Sequence, residues 1–131
     1  RLKPVDPPTL KRALDDSAIK WKVVVVSACY SGGFVEPLKD DNTLIITASS
    51  ATSTSFGCGN GSDATYLAKA LFDEALRKTY SFETAFDQAR KSIRQREQAQ
   101  GHEPSEPQIF VGAAIREKLL QLERRLSRPQ Q

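Results

Sequence analysis

The sequence predicts an α/β domain in which helices cover a mostly parallel sheet. A continuous β-branched run, KVVVVSA at 22–28, is typical of a strand that is covered on both faces. The elements that follow alternate between strand and helix patterns, in the order α, β, β, α, α, β, α. Because 131 residues with 39% apolar content suffice for one core, we expect a single domain over 1–131, with a frayed tail at 127–131.

The first half of the chain is predicted to contain one helix and two strands. Thr9 is expected to cap the helix, which runs to Ile19, because apolar residues recur there at helical spacing. The elements after it are a central parallel valine strand, the small-residue turn CYSGG, a second buried strand TLIITA and a Ser/Thr/Gly loop, at 22–28, 29–33, 43–48 and 49–62.

The second half is predicted to contain three helices and one short strand. Asp63 and Ser81 are expected to cap the first two helices, and a breaker-rich segment, GHEPSEP, ends the second. A strand at 108–111 and a last amphipathic helix follow. The outward face of the second helix is predicted to carry Arg90, Lys91, Arg94, Arg96 and Glu97. Since such sheets usually have about five or six strands, further strands are expected upstream.

The composition excludes several functional classes. The 19 basic and 16 acidic side chains leave a charge of only +3, and the basic helix faces carry interleaved glutamates, so no nucleic-acid partner is expected. No apolar run approaches the ~18 to 20 residues of a membrane span. Two cysteines and one histidine exclude a disulfide framework and argue against a zinc site, so no metal or cofactor is expected. The absence of methionine and the start at Arg1 indicate a piece of a longer polypeptide.

Cys29 is the candidate nucleophile. It follows the valine strand, and ligands and reactive groups collect at the carboxyl ends of strands in open α/β sheets. The small residues around it leave space for a substrate carbonyl. An alternative is that Cys29 is a small buried hydrophobe, as many cysteines are, and the spacing alone does not separate the two readings.

Four segments together resemble the caspase-like cysteine peptidases, and most of all the legumain family. The sequence VVVVSACYSGG is similar to that family's hydrophobic strand, Ala-Cys pair and small-residue turn. TASS resembles the end of its next strand, and TSFGC followed by TYL resembles the loop and helix start that wall its specificity pocket. These segments lie at 23–33, 47–50, 54–58 and 65–67, and the resemblance extends over 9–112.

The resemblance implies the C-terminal part of a caspase-like three-layer α/β sandwich that hydrolyses peptide bonds with a cysteine thiolate. Cys29 would be the nucleophile, and its N–H would contribute to the oxyanion hole. In the family, the partner of the cysteine is a histidine followed by glycine at the end of the preceding strand. We therefore expect this histidine in the missing N-terminal part of the same polypeptide, and we expect the isolated chain not to cleave peptides.

The same resemblance suggests the pocket residues. Asparagine-specific members of the family place a glutamate two residues before the cysteine and an aspartate at the helix start, where this chain has Ser27 and Lys69. Asparagine preference is therefore not carried over, and an uncharged or acidic P1 residue is the hypothesis. Lys69 fits an ordinary solvated helix lysine equally well. The candidate substrate-binding residues are Ser27, Ser49, Ser55, Tyr66 and Lys69.

Three weaker signals have simpler interpretations. His102 follows Cys29 in the papain order, but the papain-type surround is absent and His102 lies in the GHEPSEP loop, which favours a solvated histidine. The GCGNG stretch at 57–61 lacks the spacing of a dinucleotide fingerprint, and a substrate-pocket loop explains it. Cys58 remains open as a pocket residue, a structural thiol or an oxidation partner of Cys29.

Two other functions remain as alternatives. One is a non-catalytic caspase-fold module for binding or assembly, which is preferred if no His-Gly follows an upstream strand. The other is an acyl hydrolase with a cysteine elbow and a downstream histidine; the interval containing Pro37 and the polar stretch 39–42 argues against it, because no helix pattern directly follows the turn. A sheet edge exposed by the missing strands would allow homo-oligomers.

Overall fold

The computed structural model describes residues 5–54 and 65–127. The elements are α1 Pro7–Asp16, β1 Lys22–Val26, α2 Val35–Leu38, β2 Thr43–Thr47, α3 Tyr66–Ala68, α4 Phe82–Gln100, β3 Gln108–Val111 and α5 Ala113–Ser127. A 3₁₀ turn, Ser31–Phe34, leads into α2, and α3 continues as a π-helical segment, Lys69–Glu74, and a 3₁₀ turn, Ala75–Arg77. The alternation of helices and strands confirms the predicted α/β class.

The three described strands form one mixed sheet in the order β1-β2-β3. β1 and β2 are parallel, with Val26 opposite Thr47, whereas β2 and β3 are antiparallel, with Thr47 also opposite Gln108. All five residues of β2 are buried, but Val23 of β1 is 40% exposed. Within the described residues, the central position expected for the valine strand is therefore held by β2, since β-branched composition does not specify which strands become neighbours.

Helices cover both faces of this sheet, as predicted. Ile45 points to the face opposite Leu44 and Ile46, because side chains alternate along a strand. On the face of Ile45, α2 contacts β2 and β3 and buries Leu38, and α1 packs against α2. On the other face, the main core combines strand residues with α3, α4, α5 and the turns after α3: Leu44, Ile46, Ala48, Leu67, Ala70, Leu71, Ala75, Ala85, Phe86, Ala89, Ile93 and Ile115.

The first helix starts and ends earlier than predicted. Asp6, not Thr9, caps α1, because its carboxylate accepts a hydrogen bond from the Thr9 N–H at 2.8 Å. Proline has no N–H to satisfy, so Pro7 and Pro8 fit the first turn of the helix instead of preceding it. The helix ends at Asp16, three residues before the predicted end.

The caps of the later helices are partly as predicted. Ser81 caps α4 by accepting a hydrogen bond from the Thr84 N–H at 3.1 Å, which confirms that prediction. Thr65 caps α3 by accepting from the Ala68 N–H at 3.0 Å. The predicted cap Asp63 lies outside the described residues.

Glu97 was predicted on the outward face of α4, and that prediction is wrong. It is only 3% exposed, and its Oε2 accepts a hydrogen bond from the Ser105 N–H at 3.0 Å. The cause is the return of the chain after Gly101, whose left-handed conformation (φ 72°) ends α4. A helical periodicity cannot show that a later loop will fold back over a polar face.

Searched over the described ranges, no helix is both long enough and apolar enough to cross a membrane.

Candidate active site

Cys29 lies on the loop that leaves the carboxyl end of β1. β1 ends at Val26, and the thiol-bearing residue is exposed. This exposure excludes the alternative in which Cys29 is a small residue of the hydrophobic core. Because β2 runs parallel to β1, the segment after β2 lies at the same edge of the sheet.

The segment 49–53 holds the peptide units on both sides of Cys29. The buried Ser49 hydroxyl accepts a hydrogen bond from the Ser31 N–H at 3.1 Å and donates to the Ala28 carbonyl at 3.2 Å. The Tyr30 N–H donates to the Ser53 carbonyl at 2.9 Å. The backbone immediately before and after Cys29 is therefore fixed to the loop that follows β2.

Two features make this turn tight. Tyr30 has a left-handed backbone (φ 58°), which costs an L-residue roughly 1–2 kcal/mol unless its surroundings compensate. A Cβ on Gly32 would lie 2.5 Å from the Ala51 nitrogen, so only glycine allows the turn to approach the segment 49–53 this closely. The CYSGG pattern predicted a tight turn, and the structure adds that it is packed against a second loop.

A helical segment begins directly behind the turn. The 3₁₀ turn Ser31–Phe34 and α2 follow Cys29 almost immediately. The prediction that Pro37 and the polar stretch after it keep helical structure away from the cysteine is wrong. Pro37 is accommodated because it lies in the first turn of α2, where a backbone N–H is not needed for an intrahelical bond.

The predicted pocket residue Ser27 contacts the start of α3. Its hydroxyl lies 2.5 Å from the hydroxyl of Thr65, the residue that caps this helix. Ser27 is exposed and lies two residues before Cys29. The hydrogen bond brings the start of α3 to the rim that carries Cys29.

Tyr66, the next predicted pocket residue, is held by the end of α4. Its hydroxyl donates a hydrogen bond to the Gln100 side-chain carbonyl, and its ring centre lies 6.3 Å from that of His102. The Arg96 guanidinium lies 6.0 Å from the same ring and forms an ion pair with Glu74 at 2.9 Å. These contacts fix Tyr66 on the side of α3 that faces α4.

The remaining predicted residues have separate outcomes. Lys69 is 47% exposed at its side chain and pairs with Asp73 one helical turn later, with 3.6 Å between Nζ and Oδ2. Ser49 is fully buried beneath the Cys29 turn. Ser55, Cys58 and the whole GCGNG stretch at 57–61 lie outside the described residues.

Sequence reasoning missed the residues that connect the loops at this edge. Ser53, Thr65 and Ser105 all bond to segments that are distant in sequence. A threonine before a short apolar helix is a recognisable cap signal for Thr65. Nothing in the local sequence identifies Ser53 or Ser105, because their roles depend on tertiary contacts. Across residues 5–54 and 65–127, no cluster of three or more His, Cys, Asp or Glu side chains is placed to hold a metal ion.

The fold and this site define an α/β protein that presents an exposed cysteine at the carboxyl end of a parallel strand. The family model described as the Peptidase C13 family matches residues 1–117. The chain therefore belongs to the Peptidase C13 family, the legumain family of cysteine peptidases, in agreement with the resemblance around Cys29. A search of curated proteins finds no significant match.

Proposed function

We propose that this chain is the nucleophile-bearing part of a cysteine endopeptidase and that Cys29 is the nucleophile. The observation that carries the proposal is the exposed position of Cys29 on a turn whose flanking peptide units are both hydrogen-bonded to the segment 49–53. An accessible and preorganised nucleophile is what acyl transfer requires.

The proposed reaction proceeds in two steps. The Cys29 thiolate attacks the scissile carbonyl carbon, and the C–N bond breaks. The amine leaves with a proton from the imidazolium of the partner histidine, which acts as the general acid. Water then attacks the thioester, which releases the carboxylic acid and restores the thiol. The Cys29 N–H is proposed to donate to the oxyanion that forms on the carbonyl oxygen in each step.

The proposed base is a histidine followed by glycine, supplied by polypeptide that precedes this chain. An ordinary cysteine thiol has a pKa of about 8.5 and is mostly protonated at neutral pH, so it needs a neighbouring imidazole. The open edge of β1 is the proposed docking position for the strand that carries this histidine. In support, β1 pairs only with β2 among the strands that the structure describes.

The activity is tested by comparing the chain alone with a version extended at its N terminus to include the proposed histidine. We expect the extended protein to cleave peptides and the 131-residue chain not to do so. Cys29→Ala in the extended protein should abolish turnover, whereas Cys29→Ser is expected to retain only a small fraction. Thiol-dependent turnover by the 131-residue chain alone would contradict the proposal that the catalytic base lies outside this chain. An extended protein without a His-Gly pair would instead favour a non-catalytic binding module.

The proposed substrate pocket lies between Cys29 and the start of α3. Ser27 and Tyr66 are its candidate walls, Ser49 shapes it from beneath, and Ser55 and Lys69 complete the proposed set. With a hydroxyl at Ser27 and a cation at Lys69, the pocket has no acidic group at the two positions compared with asparagine-specific relatives. We therefore propose an uncharged or acidic P1 residue.

A positional peptide library on the extended protein measures this preference. Uncharged or acidic residues are expected at P1, and Lys69→Ala should lower the cleavage rate of peptides with an acidic P1 residue without changing the rate for uncharged ones. Arg77→Ala is the control, because this exposed residue also pairs with Asp73 but lies two turns farther along the chain. A sharp optimum for asparagine would overturn the pocket assignment.

A further inference from the structure

Glu97 is a buried carboxylate of α4 that the proposed peptide hydrolysis does not use. Charged side chains are almost never fully buried unless they are paired or hydrogen-bonded. At 3% exposure, Glu97 meets this requirement by accepting the Ser105 N–H at 3.0 Å. Its own backbone carbonyl also accepts from the His102 N–H at 2.8 Å. Glu97 therefore binds the loop 101–107 to the helix at two points.

Ser105 connects this loop to the segment after β2. It is 1% exposed, and its carbonyl accepts a hydrogen bond from the Ser50 N–H at 2.9 Å. The Ser50 hydroxyl in turn donates to the Ser53 hydroxyl at 2.7 Å. The segment 49–53 belongs to neither a helix nor a strand, so such contacts determine its position.

The same segment fixes the backbone on both sides of Cys29 through Ser49 and Ser53. Hydrogen bonds joined by short pieces of backbone therefore lead from the Glu97 carboxylate, through Ser105 and the segment 49–53, to the turn that carries the thiol. We propose that Glu97 is a positioning residue for Cys29, which sets the direction in which the thiolate meets the substrate carbonyl. This inference rests on the proposed peptidase function, because only a reacting thiol needs a set direction.

The proposed connection between Glu97 and the Cys29 turn is tested by residue-resolved amide hydrogen exchange in the N-terminally extended protein. Glu97→Leu removes the acceptor at similar size and should accelerate exchange at Ser105, Ser50 and Tyr30 by about tenfold or more. Glu97→Gln keeps an acceptor oxygen and should exchange like the parent protein. Glu103→Leu is the matched control, because Glu103 is an exposed glutamate of the loop 101–107, and it should not change the exchange rates.

The functional part is tested by the kinetics of the same variants. A misplacement of about 1 Å can cost a hundredfold in rate, so we expect Glu97→Leu to lower kcat by about ten- to a hundredfold with little change in KM. Glu97→Gln should restore most of kcat, which a general loss of folded protein would not reproduce. If Glu97→Leu does not fold, Glu97→Asp replaces it, because the shorter side chain withdraws the carboxylate from Ser105.

The outcomes separate this inference from the proposed function. Unchanged exchange at Ser50 and Tyr30, or accelerated exchange with an unchanged kcat, would overturn the positioning role while the peptidase activity stands. A parent protein that exchanges as expected but cleaves no peptide would remove the peptidase function and the positioning role with it, leaving only the connection between Glu97 and the turn.

Discussion

Around Cys29, single small residues decide how the turn is built. Ser49 makes three hydrogen bonds to this turn, because its hydroxyl bonds to Ala28 and Ser31 while its own N–H donates to the Ser31 hydroxyl at 3.3 Å. Tyr30 accepts a left-handed backbone, and its carbonyl receives the Gly33 N–H at 3.2 Å. The Cys29 site is therefore rigid through backbone and hydroxyl contacts and not through bulky side chains.

Gly32 and Gly33 give a matched test of this packing. A Cβ at Gly32 would meet the backbone of Ser50 and Ala51 at 2.5 Å, whereas a Cβ at Gly33 would meet nothing within 4 Å. We expect Gly32→Ala to lower the free energy of unfolding by about 1–3 kcal/mol, because backbone must move to make room. Gly33→Ala should be nearly neutral. Urea unfolding measures both, and equal stabilities for the two variants would contradict the close approach.

At the scale of elements, the turn between α2 and β2 connects several elements at the end of the sheet opposite Cys29. The Asn42 N–H donates to the Asp40 carboxylate at 2.7 Å, and the Asn42 carbonyl receives the Lys22 N–H at the start of β1. The Asp41 carbonyl accepts from the Ala114 and Ile115 N–H groups at the start of α5. This one turn therefore fixes the starts of two strands and a helix.

The Asp40 carboxylate should make stability depend on pH. The Asn42 N–H, and secondarily the Lys11 ammonium, hold the pKa of Asp40 below its usual range. The pKa of Asp40 is lower in the folded protein than in the unfolded chain. The stabilisation from its carboxylate is therefore complete above the unfolded pKa of about 3.9 and is lost as pH falls through the folded pKa.

The measurement is the midpoint of urea unfolding between about pH 6 and pH 2. We expect Asp40→Asn to flatten the fall in stability below about pH 4, because it removes one of the groups that must be protonated. Asp16→Asn, at the exposed end of α1, is the control and should leave that curve unchanged. A parent-like slope in the Asp40 variant would show that the carboxylate contributes nothing to this turn.

At the scale of the whole molecule, β1 is an edge strand of the described sheet, whereas β2 is its central strand. β2 is enclosed by β1 on one side and β3 on the other. β1 has a parallel partner on one side and carries the partly exposed Val23. An open strand edge can pair with any other strand that reaches it, including one from a second copy.

We expect the chain by itself to self-associate as its concentration rises, and the N-terminally extended protein to associate less because its own strand covers β1. Light scattering coupled to size-exclusion chromatography measures the mass of each. Val23→Lys should weaken association of the chain alone, since a charge on an edge strand opposes pairing. Ile19→Lys, at a more exposed position before the strand, is the control. A chain that stays monomeric at every concentration would contradict this expectation.

The α/β class, the strand at 108–111, the Ser81 cap and the tight turn after the valine strand could all be predicted from local patterns. Periodicity, capping chemistry and a small-residue turn act over a few residues, so the sequence displays them directly. The family resemblance also depends on such short segments, and it led to the Peptidase C13 family.

Only the tertiary structure decided what surrounds Cys29. The exposure of its side chain, the burial of Glu97 and the hydrogen bonds from Ser105 to Ser50 depend on segments that are far apart in sequence. Helical periodicity placed Glu97 in solvent because it describes one helix in isolation. The physical reason is that burial and backbone bonding of loops are set by whichever segments fold against them, and no local pattern records those neighbours.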